Sequence, residues 1–102
     1  MNDSEFKTLH ELSSNGNLTQ RELSKRLGLS LGGVNYVLKA LIKKGYVKAQ
    51  RFKNSDKKMS YVYVLTPKWM YEKARLTQQF IHNKMEEYER LKQEIETLQK
   101  NL

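Results

Sequence analysis

Phe6, Leu9 and Leu12 recur at three-residue spacing until Asn15-Gly16-Asn17 interrupts them, which predicts a helix over residues 3–14. Thr19-Gln20-Arg21-Glu22 has the form of a capping box, in which the Thr19 hydroxyl serves the Glu22 amide and the Glu22 carboxylate serves the Thr19 amide. A second helix starts there. Leu23 and Leu27 share one face of it, and Gly28 follows where a residue at positive φ commonly ends a helix. Ser30 is placed to cap a third helix, with Val34, Val37, Leu38 and Leu41 as its buried face and Gly45 as its end. At 100° per residue the opposite face carries Gly32, Tyr36, Lys39 and Lys43, with Ser30, Leu31, Gly33 and Asn35 around its N-terminal end. That face is polar, aromatic and basic.

Beyond Gly45 the period shortens. Tyr46 to Phe52 and Met59 to Leu65 are rich in β-branched and aromatic residues and flank Lys53-Asn54-Ser55-Asp56-Lys57-Lys58, the pattern of a hairpin with a charged tip. Thr66-Pro67 then supplies an N-cap hydroxyl and a first-turn residue whose missing N–H costs nothing there. With no Gly or Pro from Lys68 onward, the last helix can run almost to Leu102, about 35 residues or roughly 50 Å. In its distal half Ile81, Tyr88, Leu91, Ile95, Leu98 and Leu102 fall into a heptad frame. Lys84 is the polar interruption, flanked by Phe80 and Met85. A single apolar stripe on an isolated helix is marginal in water, so it needs a partner, and a second copy of the chain, parallel or antiparallel, supplies one. Ile81, Met85, Tyr88, Leu91, Ile95 and Leu98 are the expected dimerisation residues; folding of the stripe back on the head is the competing arrangement.

A chain of 102 residues is one small domain in size, with little core to spare. Its 38% hydrophobic and 29% charged composition leaves a surplus of polar surface, which suits an elongated part or a partner. The formal charge of +8 is unevenly placed. Residues 1–20 carry one lysine against three acidic side chains, a net of −2, whereas residues 21–58 carry eleven basic against two acidic, a net of +9. Such a block binds polyanions through counterion release. No apolar run has the length of a membrane span and the opening residues have no basic and apolar leader pattern, so the expected location is cytoplasmic. The absence of cysteine agrees with a reducing compartment and removes thiolate metal sites and thiol redox chemistry.

Helix, helix, three-residue turn, helix and basic hairpin, in that order, describe a mainly α winged helix-turn-helix with a small β-hairpin wing, followed by a long C-terminal coiled-coil helix. The expected division is residues 1–66 for the DNA-binding head and 67–102 for the dimerisation helix. The third helix has the width to enter a major groove, and its N-terminal side chains lie nearest the base edges. Asn35 and Tyr36 are the candidate base readers, in company with Ser30, Leu31, Gly32 and Gly33; Lys39 and Lys43 lie further along the helix at phosphate distance. Gly32 and Gly33 each cost a helix about 1 kcal/mol relative to alanine, which close approach to DNA can explain, although a frayed first turn can too. Thr19, Gln20, Arg21 and Lys44 are candidate backbone contacts, and Arg51, Lys53, Lys57 and Lys58 would set the wing along the backbone or into the minor groove.

On these residues the stretch Leu18 to Lys68 resembles the winged-helix core of MarR-family regulators. Leu18-Thr19-Gln20-Arg21-Glu22-Leu23 opens the second helix, Val34 to Gly45 completes the recognition helix, and Asp56-Lys57-Lys58 with Leu65-Thr66-Pro67-Lys68 matches the wing and its exit. The tail, with Glu72-Lys73-Ala74-Arg75-Leu76-Thr77, Phe80 and Lys84-Met85-Glu86-Glu87-Tyr88-Glu89, is similar to the short branch of that family associated with exopolysaccharide (EPS) gene clusters. The resemblance implies a homodimeric, double-stranded DNA-binding transcriptional regulator, by default a repressor. Typical members of the family are longer, with terminal helices of both subunits interleaved around a ligand pocket, and this sequence has little of that material, so a phenolic effector pocket is not expected from the resemblance and any effector stays open. Trp69 stands where the family usually has glycine and Tyr36 where an arginine is common, so a relative's base preference does not transfer.

Other function classes have less to stand on. His10 and His82 lie in different helices without a partner set at metal-ligand spacing, and no phosphate loop or nucleophile motif is present, so neither enzyme chemistry nor a cofactor is expected. Trp69, Met59, Met70, Met85 and the six tyrosines read first as packing side chains. The rival reading is a winged helix that docks on RNA polymerase or another regulator. Concentrated positive charge argues against it, and the lack of an aromatic platform argues against single-stranded RNA.

Overall fold

In a computed structural model, which describes residues 1–53, 56 and 59–102, the chain forms α1 (Asp3–Asn15), α2 (Gln20–Leu27), α3 (Leu31–Lys43), β1 (Val47–Lys53), β2 (Met59–Leu65) and α4 (Pro67–Lys100). This is the expected mainly α winged helix with a two-stranded antiparallel wing and a long C-terminal helix. Contacts divide the chain into two units, Met1–Met70 and Tyr71–Leu102. The first contains the head together with the opening turn of α4, and the second the rest of that helix.

Each helix of the head begins on a side-chain cap that satisfies otherwise orphaned backbone donors. Asn2 Oδ1 accepts from the Glu5 amide at 2.8 Å, and Ser30 Oγ from the Gly33 amide at 3.0 Å. Thr19 and Glu22 form the reciprocal capping box, with the Glu22 amide donating to Thr19 Oγ1 at 3.1 Å and the Thr19 amide to Glu22 Oε1 at 3.2 Å. Thr66 accepts from the Trp69 amide at 3.3 Å, directly ahead of Pro67. At the end of α3, Gly45 takes φ +81°, its amide donates to the Ile42 carbonyl and the Tyr46 amide to the Leu41 carbonyl. This is the Schellman arrangement, and it shifts the first strand: Tyr46, expected to open the hairpin, spends its N–H on closing the helix.

The core gathers Leu9 and Leu12 of α1, Leu18, Leu23 of α2, Val34, Val37, Leu38 and Leu41 of α3, Val47 of β1 and Trp69 of α4. Full burial of such a side chain contributes about 1.5–3 kcal/mol. The α1 stripe differs from the one read from spacing. Glu5, Thr8, Leu9 and Leu12 are buried and Phe6 is 48% exposed. At 100° per residue Phe6 lies about 110° from the centre of that stripe, so the three-residue rhythm picked a neighbour of the true buried face. The two polar members are satisfied: Thr8 Oγ1 donates to the Ser4 carbonyl at 2.8 Å, and Glu5 pairs with the Lys44 ammonium. Of the residues expected to pack, Trp69 is buried against the Tyr46 ring at 5.2 Å between centroids, whereas Met59, Met70 and Met85 are exposed.

In the wing, β1 pairs with β2 from Val47↔Leu65 to Lys53↔Met59. A single bridge joins Leu18 to Tyr63, with the Tyr63 amide donating to the Leu18 carbonyl at 2.8 Å. The hairpin is thereby tied to the residue that precedes the capping box of α2. In the second unit every residue from Thr77 to Leu102 is exposed.

Leu41, with no exposed surface, touches the centre of this small core, so Leu41→Ala should lower the stability of the head by about 2–5 kcal/mol. Urea unfolding followed by the fluorescence of Trp69, the chain's single tryptophan, measures it. A loss below about 1 kcal/mol would mean that the cluster is not close-packed.

Candidate nucleic-acid interface

The turn between α2 and α3 is Gly28-Leu29-Ser30. Gly28 adopts φ +67° and ψ 28°, a left-handed conformation that L side chains rarely take, so glycine is required by the backbone itself. Ser24 holds the turn from both sides, its carbonyl accepting from the Gly28 and Leu29 amides and its hydroxyl donating to the Leu29 carbonyl. Gln20, at the first position of α2, donates through Nε2 to the Leu31 carbonyl at 2.8 Å. The starts of both helices are therefore bonded to each other, which sets the crossing of α3 over α2.

Burial of Val34, Val37, Leu38 and Leu41 fixes which way α3 is turned about its axis. Ser30, Leu31, Gly32, Tyr36, Lys39 and Lys43 are exposed and Asn35 and Gly33 are half-buried, so the expected recognition residues share the outward side. Tyr36 is 76% exposed, although it is a large aromatic side chain. Neither Gly32 nor Gly33 needs a left-handed backbone. A Cβ on Gly32 would meet nothing nearer than Ser30 Oγ at 4.0 Å, and one on Gly33 would lie 3.3 Å from that oxygen. The fold itself thus gives no steric reason for glycine at position 32.

A second group of residues forms beside α2. Because Leu18 bridges to Tyr63, the hairpin brings Ser60, Tyr61 and Tyr63 against Thr19, Gln20 and Arg21, and these six line a shallow cleft. Arg51 stands across the ladder from Tyr61, and Lys53 across from Met59. Burial, and then the neighbouring Tyr61, pushes the Tyr63 phenol above its ordinary range. Ser60 and Tyr61 were absent from the sequence-level candidates. Which residue of β2 faces Arg51 depends on the hairpin register, and the charged tip of unfixed length hides that register from the sequence. The expected wing residues Lys57 and Lys58 lie outside the described residues.

The positive charges divide by their local partners. Among the described residues Arg21, Lys39, Lys43, Arg51 and Lys53 have no ion-pair partner, and all are exposed. Lys44 is separate from the rest: its ammonium is held by the buried Glu5 carboxylate, a bond between the end of α3 and the start of α1. Arg26 stands 3.8 Å from Glu11, and Lys68 donates to the Lys44 carbonyl at 2.9 Å and lies over the Tyr46 ring. Uncommitted cations thus occur at α2's first turn, on the outward side of α3 and on the wing, as well as at Lys25 in the last turn of α2 and along α4. No cluster of potential metal ligands occurs among the described residues, and none of the helices is long and apolar enough to cross a membrane.

Residues 1–48 match the family model described as winged helix-turn-helix DNA-binding. No curated protein matches the chain. Among solved structures, the A103V mutant of MepR from a multidrug-resistant S. aureus clinical isolate is similar with a TM-score of 0.69 and 19% identity, over 100% of this chain and 79% of that one. Wild-type apo MarR from E. coli is similar with a TM-score of 0.59 and 29% identity, over 70% of this chain and 51% of that one. A MarR family regulator from Neisseria meningitidis gives a TM-score of 0.61 and 23% identity, over 80% and 56%. The chain spans about half the length of the latter two. Its fold is the winged helix of the MarR regulators.

Because both bonds of the capping box start α2 beside the cleft, Thr19→Ala should cost the head about 0.5–2 kcal/mol of stability. Urea unfolding would read this, and Thr19→Asn should recover most of the loss; equal losses in both variants would assign the effect to something other than capping.

Proposed function

We propose that this protein is a sequence-specific, double-stranded DNA-binding transcriptional regulator that works as a homodimer. The observation that carries the reading is the outward side of α3. The core fixes its orientation, and it presents a bare glycine, an exposed tyrosine and two lysines without ion-pair partners among the described residues. A helix of this kind inserts into the major groove, where Asn35 and Tyr36 reach base edges and Lys39 and Lys43 reach phosphates. Thr19, Gln20 and Arg21, with Arg51 and Lys53 on the wing, follow the backbone on either side, and Ser60 and Tyr61 add hydroxyl donors to that path. Gly32 lets α3 approach closely. Lys44, held by Glu5, contributes mainly to the stability of the head.

The similarity of the fold to MarR regulators supports a regulatory role, and the tail's resemblance to the EPS-associated branch points to repression of exopolysaccharide genes from the cytoplasm. The docking alternative, on RNA polymerase or another regulator, leaves the net charge of +9 over residues 21–58 without a use.

Titrating salt against binding to DNA from upstream of the protein's own gene, beside random DNA, tests the reading. Tight and sequence-preferring binding is expected, with a steep salt slope that falls by about 1 in Lys39→Ala and again in Lys43→Ala. Salt-sensitive binding without preference would overturn the sequence specificity, and no binding at moderate salt would favour the docking alternative. Gly32→Ala should separate stability from binding: the head gains up to about 1 kcal/mol from the better helix former, while affinity for the preferred DNA drops. Unchanged affinity would remove the close approach at that position.

A further inference from the structure

The distal part of α4 presents an apolar seam whose flanks carry an orientation code. Ile81, Met85, Tyr88, Leu91, Ile95 and Leu98 are each at least 50% exposed. Spacings of three and four residues alternate from Ile81 through Lys84, Tyr88, Leu91, Ile95 and Leu98 to Leu102, and only one heptad frame fits them. Ile81, Tyr88, Ile95 and Leu102 fall at a, and Lys84, Leu91 and Leu98 at d. Phe80, Glu87 and Glu94 then occupy g, and Met85, Lys92 and Gln99 occupy e.

We infer that this seam joins a second copy of the chain in a parallel, in-register two-stranded coiled coil, with Glu87 of each copy facing Lys92 of the other. The inference rests on the homodimer of the proposed function and decides its geometry. In a parallel pair each g residue meets the e residue five positions on in the second copy. That places Phe80 against Met85, Glu87 against Lys92 and Glu94 against Gln99, one apolar, one oppositely charged and one hydrogen-bonding contact, each made twice by symmetry. Antiparallel pairing sets g against g and e against e. Each antiparallel register that stacks the apolar layers then opposes Glu87 to Glu94, Glu94 to itself or Glu87 to itself, and the register centred near Lys92 opposes the two lysines as well. Like charges so placed destabilise the pair. Within a parallel coil, isoleucine at a (Ile81, Ile95) with leucine at d (Leu91, Leu98) favours two strands over three or four.

Lys84 supplies the register. Its ammonium is 3.2 Å from Glu87 Oε2 and 5.6 Å from the centre of the Phe80 ring, so the one polar seam residue carries its own counter-charge. Sliding one copy by a heptad would set Lys84 of one copy against Leu91 of the other, whereas in register the two Lys84 side chains share one layer and each ammonium has its own Glu87 beside it to offset their repulsion. Parallel pairing brings the N-terminal heads of both copies to the same end of the coil, where they can act on neighbouring parts of one duplex.

The test uses the full chain. Sedimentation equilibrium of the unaltered protein should show dimers, and monomers at tens of micromolar would overturn the homodimer and this inference together. Given dimers, Glu87→Lys should weaken association on the order of tenfold by opposing Lys92, and Glu87→Lys with Lys92→Glu should restore it. Antiparallel pairing predicts no such loss, because Glu87→Lys would relieve a repulsion in the registers that oppose Glu87 to Glu94 or to itself and would meet no Lys92 in any of them. The protein has no cysteine, so Leu98→Cys introduces a single thiol. Under mild oxidation it should link two copies covalently, while Gln93→Cys on the outer face should not. Unchanged or tighter association of Glu87→Lys, or dimers in which Leu98→Cys stays unlinked, would overturn the parallel arrangement and leave the homodimer standing.

Discussion

The rotation of α3 about its own axis is the constraint on which the head depends. Val34, Val37, Leu38 and Leu41 are buried, and Leu41 with Leu23 of α2 has no exposed surface at all. Turning α3 by even one residue's worth of angle, about 100°, would bring Lys39 or Gly33 into that space and expose a leucine, at a cost of several kcal/mol. The same four side chains therefore determine the composition of the outward side, although none of them touches anything outside the protein. The core side and the outward side share one helix by dividing its circumference.

Polar bonds then set where that helix starts and stops. Gln20 ties the first turn of α2 to Leu31, Ser24 closes the turn between them, and Gly45 with Tyr46 ends α3 on a Schellman arrangement. The Leu18–Tyr63 bridge extends the scheme to the wing. In a head this small a few directional bonds take over work that a larger core would do by packing alone. They also divide the cations. Lys44 and Arg26 have acidic neighbours and hold the head together, whereas Arg21, Lys39, Lys43, Arg51 and Lys53 remain available to an external anion.

The second unit follows a different logic. From Thr77 onward all of its residues, the apolar stripe included, are exposed. Its apolar side chains alternate at three- and four-residue spacing over three heptads, with Glu87 and Glu94 on one flank and Lys92 on the other, and the inferred parallel pairing rests on that pattern. The head closes its apolar side chains into a core, whereas those of this segment stay exposed.

Much of this organisation was legible in the amino-acid sequence, because short-range signals determine it. Caps at Thr19, Ser30 and Thr66, the stop at Gly28, the 3.6-residue rhythm of α3 and the heptads of α4 depend on neighbours within a turn or two, and the elements formed within a few residues of where those signals place them. What the tertiary structure decided involves residues far apart in the chain. Phe6 left the buried stripe to Glu5 and Thr8 because Lys44, 39 positions later, supplies the counter-charge that makes a buried glutamate tolerable. Ser60 and Tyr61 joined Arg21 because the wing's register and the Leu18 bridge bring them there, and Trp69 entered the core because Tyr46 offers its ring. Local patterns carry the free energy of helix starts, stops and faces, whereas a pairing across 20 or more residues exists only once the chain has closed on itself.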